Sequence, residues 1–374
     1  MRVAIGPEQR AELLPAEETE FASPIPTQIV SSDEYLPARQ TQKQREVEAR
    51  LKDLGAVLAN RQGMSRRRFF QTAAGMAASY LVMNQVYGRL FTVSEAEAAT
   101  PAMAEERAAA LKTQTIFDAH THFLRDDPSP TLSNPARPGS LMWQRALVTR
   151  LGWNKDLAGR EPTIDDLKFD SFFKQDEHAA VGDVGRAAKD WPQLNFVIYH
   201  SGYRHLGGAP AEGMDEWEQR DRLSWLSDLA EIPAKHDVTN VYGDLGSIFA
   251  WTVIAQPRLA AAMLGTLIKG LGTDHVIWGT DCVWTGSPQW QIEALRRLEI
   301  PEDMQKRHGF APLGPADGLV KNAILGENGL RIFGYKKQTE LGRPDRLADI
   351  KIQYELIGPA RSNLRYGYVH KARA

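Results

Sequence analysis

The chain has a single cysteine, Cys282, in 374 residues. An intramolecular disulfide is excluded, so oxidative cross-linking adds nothing to stability. Any metal site must therefore be assembled from His, Asp and Glu. An excess of charge of one sign is also missing, since Lys and Arg number 45 against 47 Asp and Glu, for a net charge of −2. Nucleic acid and anionic membrane surfaces reward strong positive charge, so neither is expected as a partner. Long apolar runs are lacking too. The best candidate, Thr72 to Phe91, is diluted by Asn84, Gln85 and Arg89, whereas a spanning helix needs roughly 20 predominantly apolar residues. No internal repeat is found. What remains is an ordinary globular composition, 43% hydrophobic and 25% charged. The length admits two domains or one α/β barrel.

Ser65-Arg66-Arg67-Arg68-Phe69-Phe70-Gln71 resembles a twin-arginine export signal. The apolar stretch follows it, and Ala96-Glu97-Ala98 then offers the small-x-small pattern of a cleavage site. Three parts in the right order predict a signal over residues 65–98, read by the twin-arginine export machinery. They also predict a periplasmic or exported location. Such a segment would take no part in the fold. The plainer alternative is a basic helix start leading into a buried helix. Residues 1–64 read as a leader. Within it, 21–40 form an extended, proline-bearing lead, and 41–60 a helix whose Val47, Leu51, Leu54 and Leu58 share one stripe. Met64 is a second possible start. Residues 99–114 read as a helical or flexible spacer, 115–335 as the catalytic region, and 336–374 as a polar, basic surface tail.

Four short apolar segments in the catalytic region read as buried strands: Thr115–Ala119, Asn195–Tyr199, Asn240–Asp244 and His275–Gly279. Helical patterns over Trp217–Ala230, Arg258–Gly270 and Gln289–Leu298 separate the later ones, and Lys321–Tyr335 reads as a closing helix. Alternating strands and helices indicate a parallel sheet, with the chemistry at the carboxyl ends of the strands.

Those ends carry the reactive residues. In Phe117-Asp118-Ala119-His120-Thr121-His122, residues two apart share a strand face, so His120 and His122 can reach one metal ion and Asp118 can orient the site or serve the strand structurally. Val197-Ile198-Tyr199-His200-Ser201-Gly202 delivers His200 to a turn, where it is a site residue or a satisfied core histidine. Val276-Ile277-Trp278-Gly279-Thr280-Asp281 delivers Asp281, a site carboxylate or the N-cap of the next helix. A divalent metal lowers the pKa of bound water to about 7, and a neighbouring carboxylate can take its proton.

From the first strand to Phe333, these stretches together with Asn322-Ala323-Ile324-Leu325 and Ile332-Phe333-Gly334 resemble the amidohydrolase superfamily. The resemblance is strongest to the branch related to aminocarboxymuconate-semialdehyde decarboxylase. It implies a TIM-type (β/α) barrel and a divalent metal, with zinc expected. It assigns His120 and His122 as metal ligands and His200 as the sixth-strand histidine that polarises substrate or moves a proton. Asp281 becomes the eighth-strand ligand and proton acceptor. The activity implied is hydrolysis of a small molecule, with metal-activated water attacking a carbonyl-like carbon. The alternatives are a non-oxidative decarboxylase on the same site, in which Tyr203 and Arg204 could hold a substrate carboxylate, or an inactive, internally truncated member. A homo-oligomer is compatible with the sequence.

One expectation runs against that resemblance. Residues 123–194 read as helical over 140–151, 164–176 and 184–191, with no apolar strand run. Strands two to five and the family's fifth-strand histidine are expected to be missing. The junction lies near Phe173–Val181, and His178 is the only histidine available to substitute. A parallel crossover takes a dozen or more residues, so four more units would crowd this stretch. Fewer than eight strands are predicted, with the first beside the Asn195–Tyr199 strand or separated from it by a gap.

Overall fold

A computed structural model of the chain describes residues 11–19, 21, 23–30, 37–121, 180–204, 210–282, 285, 287–337 and 368–371. His122, His178 and the helices expected over 140–151 and 164–176 lie outside the described residues.

Strand β1 (Leu13–Pro15) opens the described chain. Helix α1 (Gln42–Arg61) follows where the 3–4 stripe placed it, with Val47, Leu51 and Leu58 buried. Its start is fixed by a capping box in which Thr41 accepts from the Gln44 amide while the Gln44 side chain accepts from the Thr41 amide. Short α2 (Arg66–Phe69) leads into α3 (Ala73–Tyr87), α4 (Glu95–Ala99) and α5 (Pro101–Ala110). Ser65, Thr72 and Ser94 cap α2, α3 and α4 through their hydroxyls. Among the described residues, no helix is long and apolar enough to cross a membrane.

After α6 (Val184–Asp190) comes β2 (Phe196–Ile198). The helix expected over Trp217–Ala230 is two helices, α7 (Pro210–Arg220) and α8 (Leu226–His236). Their junction is a tight turn, with φ of 52° at Asp221 and 67° at Trp225. Strand β3 (Val241–Asp244) follows, then α9 (Gly246–Ala255) and α10 (Pro257–Leu271). Strand β4 (Val276–Ile277), α11 (Gln289–Arg297) and α12 (Glu302–His308) come next. The closing helix runs as α13 (Leu319–Asn322), a wide turn over Ala323–Glu327, and α14 (Asn328–Ile332). The tail was expected to lie wholly on the surface. Its end instead forms β5 (Tyr368–His370), antiparallel to β1, with Val369 and His370 buried.

The sheet that matters is parallel, in the order β2-β3-β4. The first-strand segment extends it. Ala119 donates to the Trp278 carbonyl at 3.0 Å, Asp281 donates to the His120 carbonyl at 2.8 Å, and Thr121 bridges Cys282 in parallel. The first strand is thus seated beside the strand ending at Asp281 and, among the described residues, is not paired with Asn195–Tyr199, which leaves the second of the two expected placements, separation from that strand. Among the described residues the parallel arc comprises these four segments, as an incomplete barrel would show. Helices α8 and α10 pack together against one side of the arc. Gly270 sits where a Cβ would come within 2.2 Å of the Ala230 carbonyl oxygen, a contact that only backbone movement could relieve. Gly270→Ala is expected to lower stability by about 1–3 kcal/mol through overpacking. Chemical denaturation checks this, and an unchanged midpoint would show the helices are free to part.

The segment 65–98 contributes side chains to the core. Phe69, Phe70, Ala77, Ala78, Val82, Met83 and Ala98 belong to the same buried cluster as Leu264, Val276, Trp278 and Leu295.

Candidate metal centre

The carboxyl ends of the arc converge. His120 and Asp281 stand on neighbouring main-chain segments, and His200 follows β2 directly. One ligand atom from each of the three lies within 4.8 Å of the others. His120 Nε2 is 3.2 Å from Asp281 Oδ1, and His200 Nε2 is 3.8 Å from Asp281 Oδ2. Metal–donor bonds of about 2.0–2.2 Å leave tetrahedral donors roughly 3–3.6 Å apart, so modest rotamer adjustment suffices. His120 and Asp281 are buried, and His200 keeps 17% of its side chain exposed.

Local backbone geometry brings these groups together. His200 and Ser201 take φ of 52° and 47°, and Asp281 takes 55°. Such left-handed positions cost a non-glycine residue of order 1–3 kcal/mol each, so the surrounding structure must impose them. Ser201 Oγ donates to the Asp244 carbonyl at 2.8 Å, tying the His200 turn to the end of β3. Gly246, at φ 48°, begins α9 beneath the two imidazoles. A Cβ there would fall 2.3 Å from His200 Nδ1 and 3.2 Å from His120 Nδ1, so only glycine lets α9 start so close.

Two residues at this site escaped the sequence reading. Asp244 ends β3 as Asp281 ends its own strand, 1% exposed, and its Oδ2 accepts from His120 Nδ1. Ser247, in the first turn of α9, donates to Asp281 Oδ2. The signal for Asp244 was present, since a carboxylate closing an apolar strand is the same pattern that picked out Asp281. Asp118 does not face the ion-sized space. Its carboxylate accepts from the Thr280 amide at 3.0 Å and the Thr280 hydroxyl at 2.5 Å, stapling the first strand to the segment before Asp281. Burial pushes the Asp118 carboxyl up, against the hydrogen bonds from Thr280 and the His120 amide.

The electrostatics suit a cation. Burial alone would lower the His120 pKa, but hydrogen bonds and charge from Asp244 and Asp281 outweigh it and push the imidazole up to about 10. The same negative charge would favour a divalent ion at Nε2, where binding has to displace the His120 proton. With Asp244 on Nδ1, His120 presents Nε2 toward Asp281, the arrangement by which a second carboxylate orients a ligating histidine. Asp244→Asn is expected to weaken metal affinity about 10–100-fold. Competition titration against a chelator measures this, and wild-type affinity would remove Asp244 from the site.

Of the two residues expected as a carboxylate clamp, Tyr203 is buried and Arg204 exposed. The Tyr203 ring is 2% exposed, and burial, with Glu216 and Glu212 nearby, pushes its hydroxyl well up. A substrate carboxylate would meet two negative charges there. The exposed Arg204 guanidinium lies over the Trp225 ring at 5.9 Å.

A parallel α/β arc thus carries imidazole and carboxylate donors at its strand ends that could hold a metal ion. The family model described as "Amidohydrolase" (Amidohydro_2) matches residues 35–335, and the chain belongs to that family. Among solved structures, 5-carboxyvanillate decarboxylase LigW from Sphingomonas paucimobilis is similar at 17% identity, with a TM-score of 0.25. The match covers 64% of this chain and 64% of that one, so the chain spans less than two thirds of that protein's length. No curated protein sequence matches the chain.

Proposed function

We propose that the chain is a metal-dependent hydrolase of the amidohydrolase type, acting on a small molecule with a carbonyl-like carbon. The observation that supports this best is the convergence of His120, His200 and Asp281, with Asp244 behind His120. His120, Asp281 and, in place of the substrate-side role expected for it, His200 would hold the ion, zinc being the one proposed; His122, two positions after His120 in the sequence and outside the described residues, remains a candidate for a further ligand. When bound, the metal supplies a Lewis acid and makes water acidic enough to act as a nucleophile near neutral pH. Asp281 accepts the water proton through a carboxylate that Ser247 keeps aligned. As a ligand at the rim, with 17% of its side chain exposed, His200 marks the side from which substrate would reach the ion.

Full-length protein loaded with zinc tests the reading. One molar equivalent of bound metal is expected. With a panel of small amides, esters and lactones, release of ammonia or alcohol is expected. Carbon dioxide from aromatic or enoic acids would convert the reading to a decarboxylase on the same residues. Absence of stoichiometric metal would refute the centre itself.

A further inference from the structure

We infer that residues 66–110 are a permanent wall of the fold, and that the twin-arginine-like segment is never removed from it. The inference is independent of the reading of the metal centre.

Three observations carry it. First, the small-x-small motif is locked. Ala96-Glu97-Ala98 lies within α4, with Glu97 and Ala98 buried. The Glu97 carboxylate accepts from the Arg297 guanidinium at 2.6 and 3.1 Å, and Arg297 is itself only 2% exposed. A peptidase needs this stretch extended and accessible; here it is helical and its central side chain is buried in an ion pair 200 residues away in the chain.

Second, the apolar stretch is fully used. Tyr80 Oη donates to the Trp290 carbonyl at 2.6 Å, and Phe91 pairs antiparallel with Leu298. Main-chain bonds from Thr92 to the Arg297 carbonyl, at 2.7 Å, and from Glu299 to the Leu90 carbonyl, at 2.8 Å, seal that junction. Arg107 on α5 donates to Glu293 at 2.8 Å. Phe70, next to the arginine motif, fills the space over Gly55 of α1, where a Cβ would fall 2.3 Å from the ring. In turn α1 packs on α9, whose first turn carries Gly246 and Ser247. Removing this layer would expose the back of the helix that holds Asp281 in place.

Third, the family match begins at residue 35, ahead of the arginine motif. The family pattern thus extends over the helical layer. Arg66, Arg67 and Arg68 are exposed and bear little of the packing, whereas the residues after them supply it.

The test is to produce the full chain in a bacterium with a working twin-arginine pathway and weigh the purified protein. Expected is an intact mass that includes residues 66–98, whichever compartment yields it. Arg66→Lys with Arg67→Lys should leave the first residue of the purified protein and its melting temperature unchanged, the mass shifting only by the two substitutions. Glu97→Gln should lower the melting temperature by at least about 3 °C, because it strips charge from a buried pair. A mature protein starting near residue 99 would overturn the inference, as would a Glu97→Gln protein as stable as wild type.

Discussion

An Asp281→Asn variant is expected to keep its fold, to lose most of its bound metal, and to turn over at least about 10²–10⁴-fold more slowly than wild type. The substitution preserves shape and can still accept from Ser247, so packing around this buried side chain is retained. What it removes is charge. Among the described residues, Asp281 is the one whose two oxygens face both imidazoles, at 3.2 Å from His120 and 3.8 Å from His200. Without it the ion would keep two neutral imidazoles and the more distant charge of Asp244. The proton acceptor is lost in the same change. Metal stoichiometry by atomic emission and steady-state rates on the same preparation measure the two effects. Full metal content with wild-type turnover would remove Asp281 from the centre.

How much of this was legible in the sequence differs by element, for physical reasons. The strands ending at His200, Asp244 and Asp281 were legible because each is a short apolar run closed by a turn, and β2, β3 and β4 lie inside the ranges read. Helix α1 was legible because a half-buried surface helix writes a 3–4 stripe. Helix α9 was not: all ten of its residues are buried, so no polar face marks its period. The turn between α7 and α8 was hidden because Asp221 and Trp225, not glycines, hold its positive φ values.

The site followed the same rule. Residue types at strand ends pointed to His120, His200 and Asp281, but the left-handed turns that bring His200 and Asp281 together come from tertiary contacts and leave no local signature. Asp244 was passed over because a carboxylate after an apolar strand also fits a plain helix cap. Its role appears only when His120, 124 positions away, is found on its carboxylate. The segment over 65–98 was the most ambiguous. A basic start, an apolar helix and small residues describe an export signal and a buried helix with a charged first turn equally well. Its partners Trp290 and Arg297, about 200 residues downstream, are what the inference of a retained layer rests on.

Arg297 is where that difference has its largest energetic consequence. Its guanidinium donates to Glu97, to Glu293 at 3.1 Å and to the Thr92 carbonyl at 3.1 Å. Arg297→Met keeps much of the stem's volume but leaves two largely buried carboxylates with less compensation. Breaking a buried pair from one side typically costs about 3–5 kcal/mol, and a loss in that range is expected near neutral pH. Arg107 and Arg296 still reach Glu293, which favours the lower end of the range. The pH dependence follows from Glu293. Burial pushes its carboxyl up, but Arg107, Arg297 and Arg296 together hold it below the usual range. A group with a depressed folded pKa stabilises the protein above its unfolded pKa, and that contribution disappears as the pH falls through the folded value. Wild type should therefore lose this support on acidification below about pH 4, the ordinary carboxylate range. Arg297→Met has less of it to lose, so the stability gap between the two should narrow as the pH falls. Denaturant titrations at pH 7, 5 and 3.5 measure the gap. A gap that stays constant across this range would mean that the cost of Arg297→Met is lost packing, with no electrostatic part.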